Sequence, residues 1–298
     1  MAAVNSIVVR KLTPHIGAEI SGVDLAQPLE PSTVGAIEQA LWDNLVVFFR
    51  DQPMTHAQHV RLGSYFGGLY VHPAAGKSKA SGGGAGKQKA YASTVDGYPE
   101  VVRIYADENS TQAAGELWHS DVTSEESPPL GSILRIEELP PVGGDTLFAS
   151  MYAAYDALSE PMKKFLAPLT AIHDGMKVYG GRSAFDHSRQ YPRSEHPVVR
   201  THPVTGRQAL FVSATFTTRI VQLSQAESDA VLRYLFEHLQ QPLFQCRFQW
   251  RKDSVAFWDN RCTQHQAQWD YFPHKRVGYR VQLVGDRPFY RASQEVAA

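Results

Sequence analysis

Short apolar runs, each about the length of one strand and cut off by glycine or proline, recur from one end of the chain to the other. Leu45-Val46-Val47-Phe48-Phe49 is apolar at every position, the pattern of a strand covered on both faces. Near the start, Ile7, Val8 and Val9, then Ile16, Ile20 and Val23, are interrupted by Pro14, Gly17 and Gly22 and predict strands joined by turns. Further strand-like segments fall at 101–105, 130–139, 146–148, 244–250, 254–258 and 277–284, with a hairpin predicted around Pro203-Val204-Thr205-Gly206. Helical spacing is confined to a few places: from Pro31 to Leu41, after Thr55, from Met151 to Leu166 with a break near Pro161, and from Ser224 to Leu239. In the last of these Ser224 and Glu227 form a capping box. Many strands and few helices predict a mainly β fold with flanking helices, a sandwich in one domain spanning residues 1–298.

Composition removes several classes of function. Basic and acidic residues number 29 and 30, for a formal net charge of -1, so no nucleic-acid footprint is expected. No apolar run reaches the roughly 18 residues of a membrane span, and the first residues lack a signal-peptide pattern. Cys246 and Cys262 are the two cysteines, too few for a disulfide framework, so a reduced, cytoplasmic protein is expected. Residues 74–90 are almost entirely Ala, Gly, Ser and Lys and predict a flexible loop. Gly84-X-Gly86-Lys87 lacks the spacing of a phosphate loop. The segment lies between His72 and the motif below, which makes it a candidate lid.

That motif is Leu117-Trp118-His119-Ser120-Asp121-Val122-Thr123. On a strand or the loop leaving it, His119 and Asp121 point to one side and can offer an imidazole nitrogen and a carboxylate oxygen to one metal ion. A distant second histidine would complete the two-histidine, one-carboxylate triad that leaves open positions on ferrous iron. By itself the tripeptide is more readily a surface His–Asp pair, and the rest of the chain has to point to the metal. His265, after Phe257-Trp258-Asp259-Asn260, is the candidate third ligand, but His173, His187, His196, His202, His238 and His274 compete and spacing does not choose among them. Cys262 is close by, yet a thiolate suits such a site poorly and is read as core. Arg276 and Arg280 share one face of a strand-like run: either they point to solvent from an edge strand, or they point inward and bind two anionic groups.

Over nearly its whole length the sequence resembles the taurine dioxygenase branch of the Fe(II)/2-oxoglutarate-dependent dioxygenases. The matching stretches are Gly17-Ala18-Glu19-Ile20-Ser21-Gly22-Val23-Asp24-Leu25, Val71-His72-Pro73, Trp118 to Thr123, Gly143-Gly144-Asp145-Thr146, and Trp258-Asp259-Asn260 through His265 to Arg280. The resemblance implies a double-stranded β-helix (a jelly-roll, cupin-like fold) with Fe(2+) bound by His119, Asp121 and His265. It implies that Thr146 and Arg276 hold the distal carboxylate of 2-oxoglutarate, with O2 as the oxidant. It places His72, the backbone at Val122 and Arg280 around the anionic head of a small organic substrate, and by analogy suggests a homo-oligomer, dimer or tetramer.

Two positions depart from the taurine enzymes. Where those have a tyrosine and an asparagine at the substrate's far end, this chain has Ala75 and Gly115. The expectation therefore moves from taurine to broader alkyl sulfonates or sulfate esters, hydroxylated on the carbon next to the sulfur group. The alternatives are the same chemistry on a carboxylate such as an aryloxyalkanoate, a zinc hydrolase, or a non-catalytic metal-binding jelly-roll.

Overall fold

The computed structural model describes residues 7–72, 92–111, 113–179 and 190–292. The loop expected at 74–90 lies outside them, as do Ala75 and His187. The larger β-layer runs, in spatial order, Val8–Lys11, Ala18–Ser21, Val46–Phe49, Val255–Asp259, Gly131–Glu138, Arg276–Leu283, Tyr98–Ala106 and Ala92–Val95, with Leu69–Tyr70 also paired to Arg276–Leu283. Its pairings are antiparallel except that between Ala18–Ser21 and Val46–Phe49, which the helix Pro31–Asn44 connects. The facing layer is Gln245–Phe248, Thr146–Ser150 and Thr263–Ala267. Together they form the jelly-roll, with smaller sheets at 170–220 packed alongside.

Strand alternation explains why the apolar runs are continuous. Along Val46–Phe49, Val46 and Phe48 enter the core between the β-layers, whereas Val47 and Phe49 enter a second core beneath the helices Pro31–Asn44 and His56–Ser64. The same alternation sends Ala256 and Trp258 into the sandwich and Val255 and Phe257 towards the helices. Phe48 stacks on Phe248 at 3.9 Å and meets Phe148 edge-on at 5.5 Å, tying the layers together. The predicted cap at Ser224 forms, its Oγ accepting from the backbone N–H of Glu227, and Thr55 Oγ1 caps the helix His56–Ser64 in the same way through the N–H of Gln58.

Some strands were not anticipated. Thr170–Asp174, Arg193–Pro197, Thr217–Ile220 and Thr263–Ala267 are rich in polar side chains, so no apolar alternation marks them. Among the described residues no helix is long and apolar enough to cross a membrane.

Candidate active site

His119 and Asp121 come together differently from a simple strand pattern. His119 forms an isolated antiparallel bridge with His265: His119 N donates to His265 O at 3.1 Å, and His265 N to His119 O at 2.8 Å. The two imidazoles therefore lie side by side, ring centres 4.2 Å apart. Asp121 sits in the following turn, not on a strand, and Val122 has a φ of 51°, a strained left-handed conformation for a β-branched residue. Ser120 Oγ anchors the turn on Thr263 O at 2.7 Å. Backbone pairing with Thr263–Ala267 thus selects His265, which spacing left open.

Asp121 Oδ1 lies 3.7 Å from His119 Nε2 and 3.9 Å from His265 Nε2, and the candidate ligand atoms are all within 4.8 Å of one another. Leu117 O accepts from His119 Nδ1 at 2.7 Å, which turns the Nε2 lone pair towards the carboxylate. Burial, reinforced by His119 and Arg280, keeps the His265 imidazole uncharged and its lone pair available. Burial alone would raise the Asp121 carboxyl, but the Arg280 guanidinium and the Ser132 hydroxyl beside it outweigh that and hold the group ionised. Two imidazoles and one carboxylate, with no thiolate, fit a first-row divalent cation such as Fe(II).

Four of the competing histidines, His173, His196, His202 and His238, are engaged elsewhere. His173 contacts Thr123 Oγ1, His196 donates to Thr123 O and Glu125 O, and His238 donates to Ala154 O. His202 with Asp259 and Cys262 also has metal-ligand spacing. However, His202 Nδ1 accepts the N–H groups of Val204 and Thr205, so Nε2 is the protonated nitrogen and donates to Asp259 Oδ2 at 3.0 Å. Arg261 occupies the same carboxylate through two bonds. This cluster is a satisfied buried ion network, and Cys262 is core.

All eight residues singled out from the sequence line one cavity of about 120 Å³ between the layers. Arg276 and Arg280 lie on an interior strand, so the solvent-facing alternative is excluded. Arg276 is buried, and its Nε has no hydrogen-bond partner. The centre of the Trp250 ring lies 5.7 Å from its guanidinium carbon. A buried cation so placed fits an anionic ligand. Thr146 Oγ1 accepts from Trp250 Nε1 at 3.0 Å, which leaves the Thr146 proton to donate into the cavity. Nothing in the sequence pointed to Trp250, because only the pairing of Gln245–Phe248 with Thr146–Ser150 brings the residues just after that strand alongside Thr146.

Arg280 does more than the sequence suggested. Its Nη1 donates to Asp121 Oδ1 at 2.6 Å, so the expected substrate clamp also touches the candidate ligand carboxylate. His72 lies at the cavity rim, its ring 6.3 Å from Tyr179; burial, then Arg280, pushes its imidazole down to about 3, which makes it a neutral hydrogen-bonding group. Val178, Tyr179, Thr215 and Phe216 also line the cavity, from segments that carried no functional signal. Gly115 has a φ of +84°, and a Cβ there would come 3.2 Å from His119 Cε1. Glycine at this departure lets the backbone pass close to His119.

A jelly-roll with a two-histidine, one-carboxylate cluster between its layers and a buried arginine beside it has the frame of a 2-oxoglutarate-dependent dioxygenase. The chain belongs to the family described as taurine catabolism dioxygenase TauD, TfdA family, whose model matches residues 9–282. It is 35% identical over 294 residues to an alpha-ketoglutarate-dependent sulfate ester dioxygenase of Pseudomonas putida, covering 94% of this chain and 90% of that protein. It is 31% identical over 292 residues to an alpha-ketoglutarate-dependent sulfonate dioxygenase of Saccharomyces cerevisiae, covering 96% and 68%. Among solved structures, a taurine dioxygenase from Burkholderia xenovorans superposes with a TM-score of 0.80 at 40% identity, covering 96% of this chain and 91% of that one.

Proposed function

We propose that the protein is an Fe(II)- and 2-oxoglutarate-dependent dioxygenase that hydroxylates the carbon next to a sulfonate or sulfate group. The product would break down to an aldehyde and sulfite or sulfate, with succinate and CO2 formed from the cosubstrate. The observation that carries this reading is one cavity holding the His119–Asp121–His265 cluster together with two inward arginines. Bound iron would supply oxygen activation coupled to oxidative decarboxylation of 2-oxoglutarate.

The chain's own residues then orient and exclude. Arg276 and the Thr146 hydroxyl hold the distal carboxylate of the cosubstrate, fixing its 2-oxo end towards the cluster. Arg280 and the neutral His72 hold the substrate's anionic head, the cation supplying charge and the imidazole a hydrogen bond. The apolar wall of Val178, Tyr179 and Phe216 suits an uncharged carbon tail and excludes water. Both layers contribute residues to the cavity, so the site belongs to one domain, and a dimeric or tetrameric, cytoplasmic enzyme is part of the same reading.

The test is succinate formation by purified protein with Fe(II), ascorbate, O2 and 2-oxoglutarate. Alkanesulfonates including taurine, alkyl sulfate esters and aryloxyalkanoates are compared with a no-substrate control. Stimulation by a sulfonate or sulfate ester is expected. Stimulation by aryloxyalkanoates alone would replace the substrate class, and no stimulation by any of them would count against the proposal.

A further inference from the structure

The two oxygens of Asp121 are treated differently. Oδ1 faces the two imidazole nitrogens and also accepts from Arg280 Nη1 at 2.6 Å, while Oδ2 faces away from them and accepts from Ser132 Oγ at 2.7 Å. Ser132 is fully buried in Gly131–Glu138, directly opposite Trp258 on one neighbouring strand and Gln282 on the other. Alternation points Ser132 inward with Leu134 and Ile136, and Gln282 inward because Val281 and Leu283 face the helices. Sheet register therefore builds a polar row behind the cluster.

That row fixes the direction of one proton. Ser132 Oγ receives Asn260 Nδ2 at 3.2 Å and Gln282 Nε2 at 3.3 Å. The orientation of Asn260 is set by its other end, where Oδ1 accepts from Trp258 Nε1 at 2.9 Å. Amide NH2 groups only donate, and a hydroxyl oxygen accepts through two lone pairs and donates one proton. With both lone pairs engaged, the Ser132 proton has one outlet, Asp121 Oδ2.

We propose that Ser132, held as a one-way donor by Asn260 and Gln282, is a positioning residue that restricts Asp121 to binding a metal through Oδ1 alone. The inference rests on the reading of His119, Asp121 and His265 as metal ligands. Chelation through both carboxylate oxygens would pull Oδ2 off Ser132 and fill a fourth position of an octahedron. Two positions would remain, too few for a chelating 2-oxo acid and one further ligand. The Ser132 row therefore protects the open face of the site.

The experiment titrates Co(II), as the probe, into metal-free wild type, Ser132→Ala and Gln282→Met, with folding checked by circular dichroism and coordination read from the visible Co(II) bands. Ser132→Ala is expected to weaken Co(II) binding roughly 10- to 100-fold and to change the band shape. Gln282→Met keeps the hydroxyl but frees one of its lone pairs, so a smaller change of the same sign is expected. Wild-type affinity and bands in Ser132→Ala would overturn the proposal. Should that variant fail to fold, unchanged affinity and bands in Gln282→Met would overturn it instead. Failure of the ligand reading looks different: wild type would bind no Co(II), or His119→Ala would bind it as well as wild type.

Discussion

In the proposed function Arg276 is the side chain that holds the cosubstrate. Arg276→Lys keeps the charge but loses the planar fork, and the KM for 2-oxoglutarate should rise about 10- to 100-fold, read from succinate formation at varied cosubstrate. An unchanged KM would remove the cosubstrate from this residue. Trp250→Phe leaves the Thr146 hydroxyl free to turn and should cost roughly 1 kcal/mol of stability with a smaller rise in the same KM. A KM unmoved by Trp250→Phe would mean that the indole has no part in aiming that hydroxyl. The sequence marked Arg276 as one of two residues that either meet solvent or meet anions. Only its burial on an interior strand, with Nε unpartnered, separates those readings. In the sequence Trp250 is only the last residue of a strand-like run, because a hydrogen bond to a residue more than 100 positions away leaves no local pattern.

At the scale of the element, the strand Arg276–Leu283 carries both arginines and Gln282, and it has little spare room. A Cβ on Gly278 would come 2.6 Å from Ile136 Cδ1 and 3.1 Å from Arg135 O. Gly278→Ala should therefore cost about 1–3 kcal/mol, seen as a lower denaturation midpoint, and lower turnover by shifting the arginines. A midpoint equal to wild type would show that the neighbouring strand yields at no cost. Strands of this kind were legible wherever alternate residues fill two cores, as in Val46–Phe49. Thr263–Ala267 was not, although it carries His265, because its stability comes from ladder bonds to Thr146–Ser150 and from buried, hydrogen-bonded polar side chains. Asp121 shows the converse: a period-two argument placed it correctly beside His119, but a turn with a strained Val122 does the placing.

For the whole molecule, the buried histidines set the response to acid. His59, His173 and His196 are kept uncharged chiefly by burial, His59 pushed down to about 3 and His196 to about 4. Unfolded imidazoles titrate near pH 6.5, so below about that pH the unfolded chain takes up protons that the folded chain refuses. Stability should be full above about pH 6.5 and fall towards about pH 4, by up to about 1.4 kcal/mol per pH unit for each histidine. Thermal midpoints across that range should show a steep slope that His59→Gln makes shallower; parallel slopes would refute the account. The sequence by itself determined the β-rich class, the position of most apolar strands, the helix caps and the set of residues from which a site could be built, because these follow from periodicity and side-chain chemistry along the chain. Tertiary structure decided which histidine pairs with His119, which carboxylate oxygen faces the cluster and which arginine lies unpaired in the interior. Those depend on register between strands more than 100 residues apart, such as His119 against His265, and register is set by packing of the two layers as a whole.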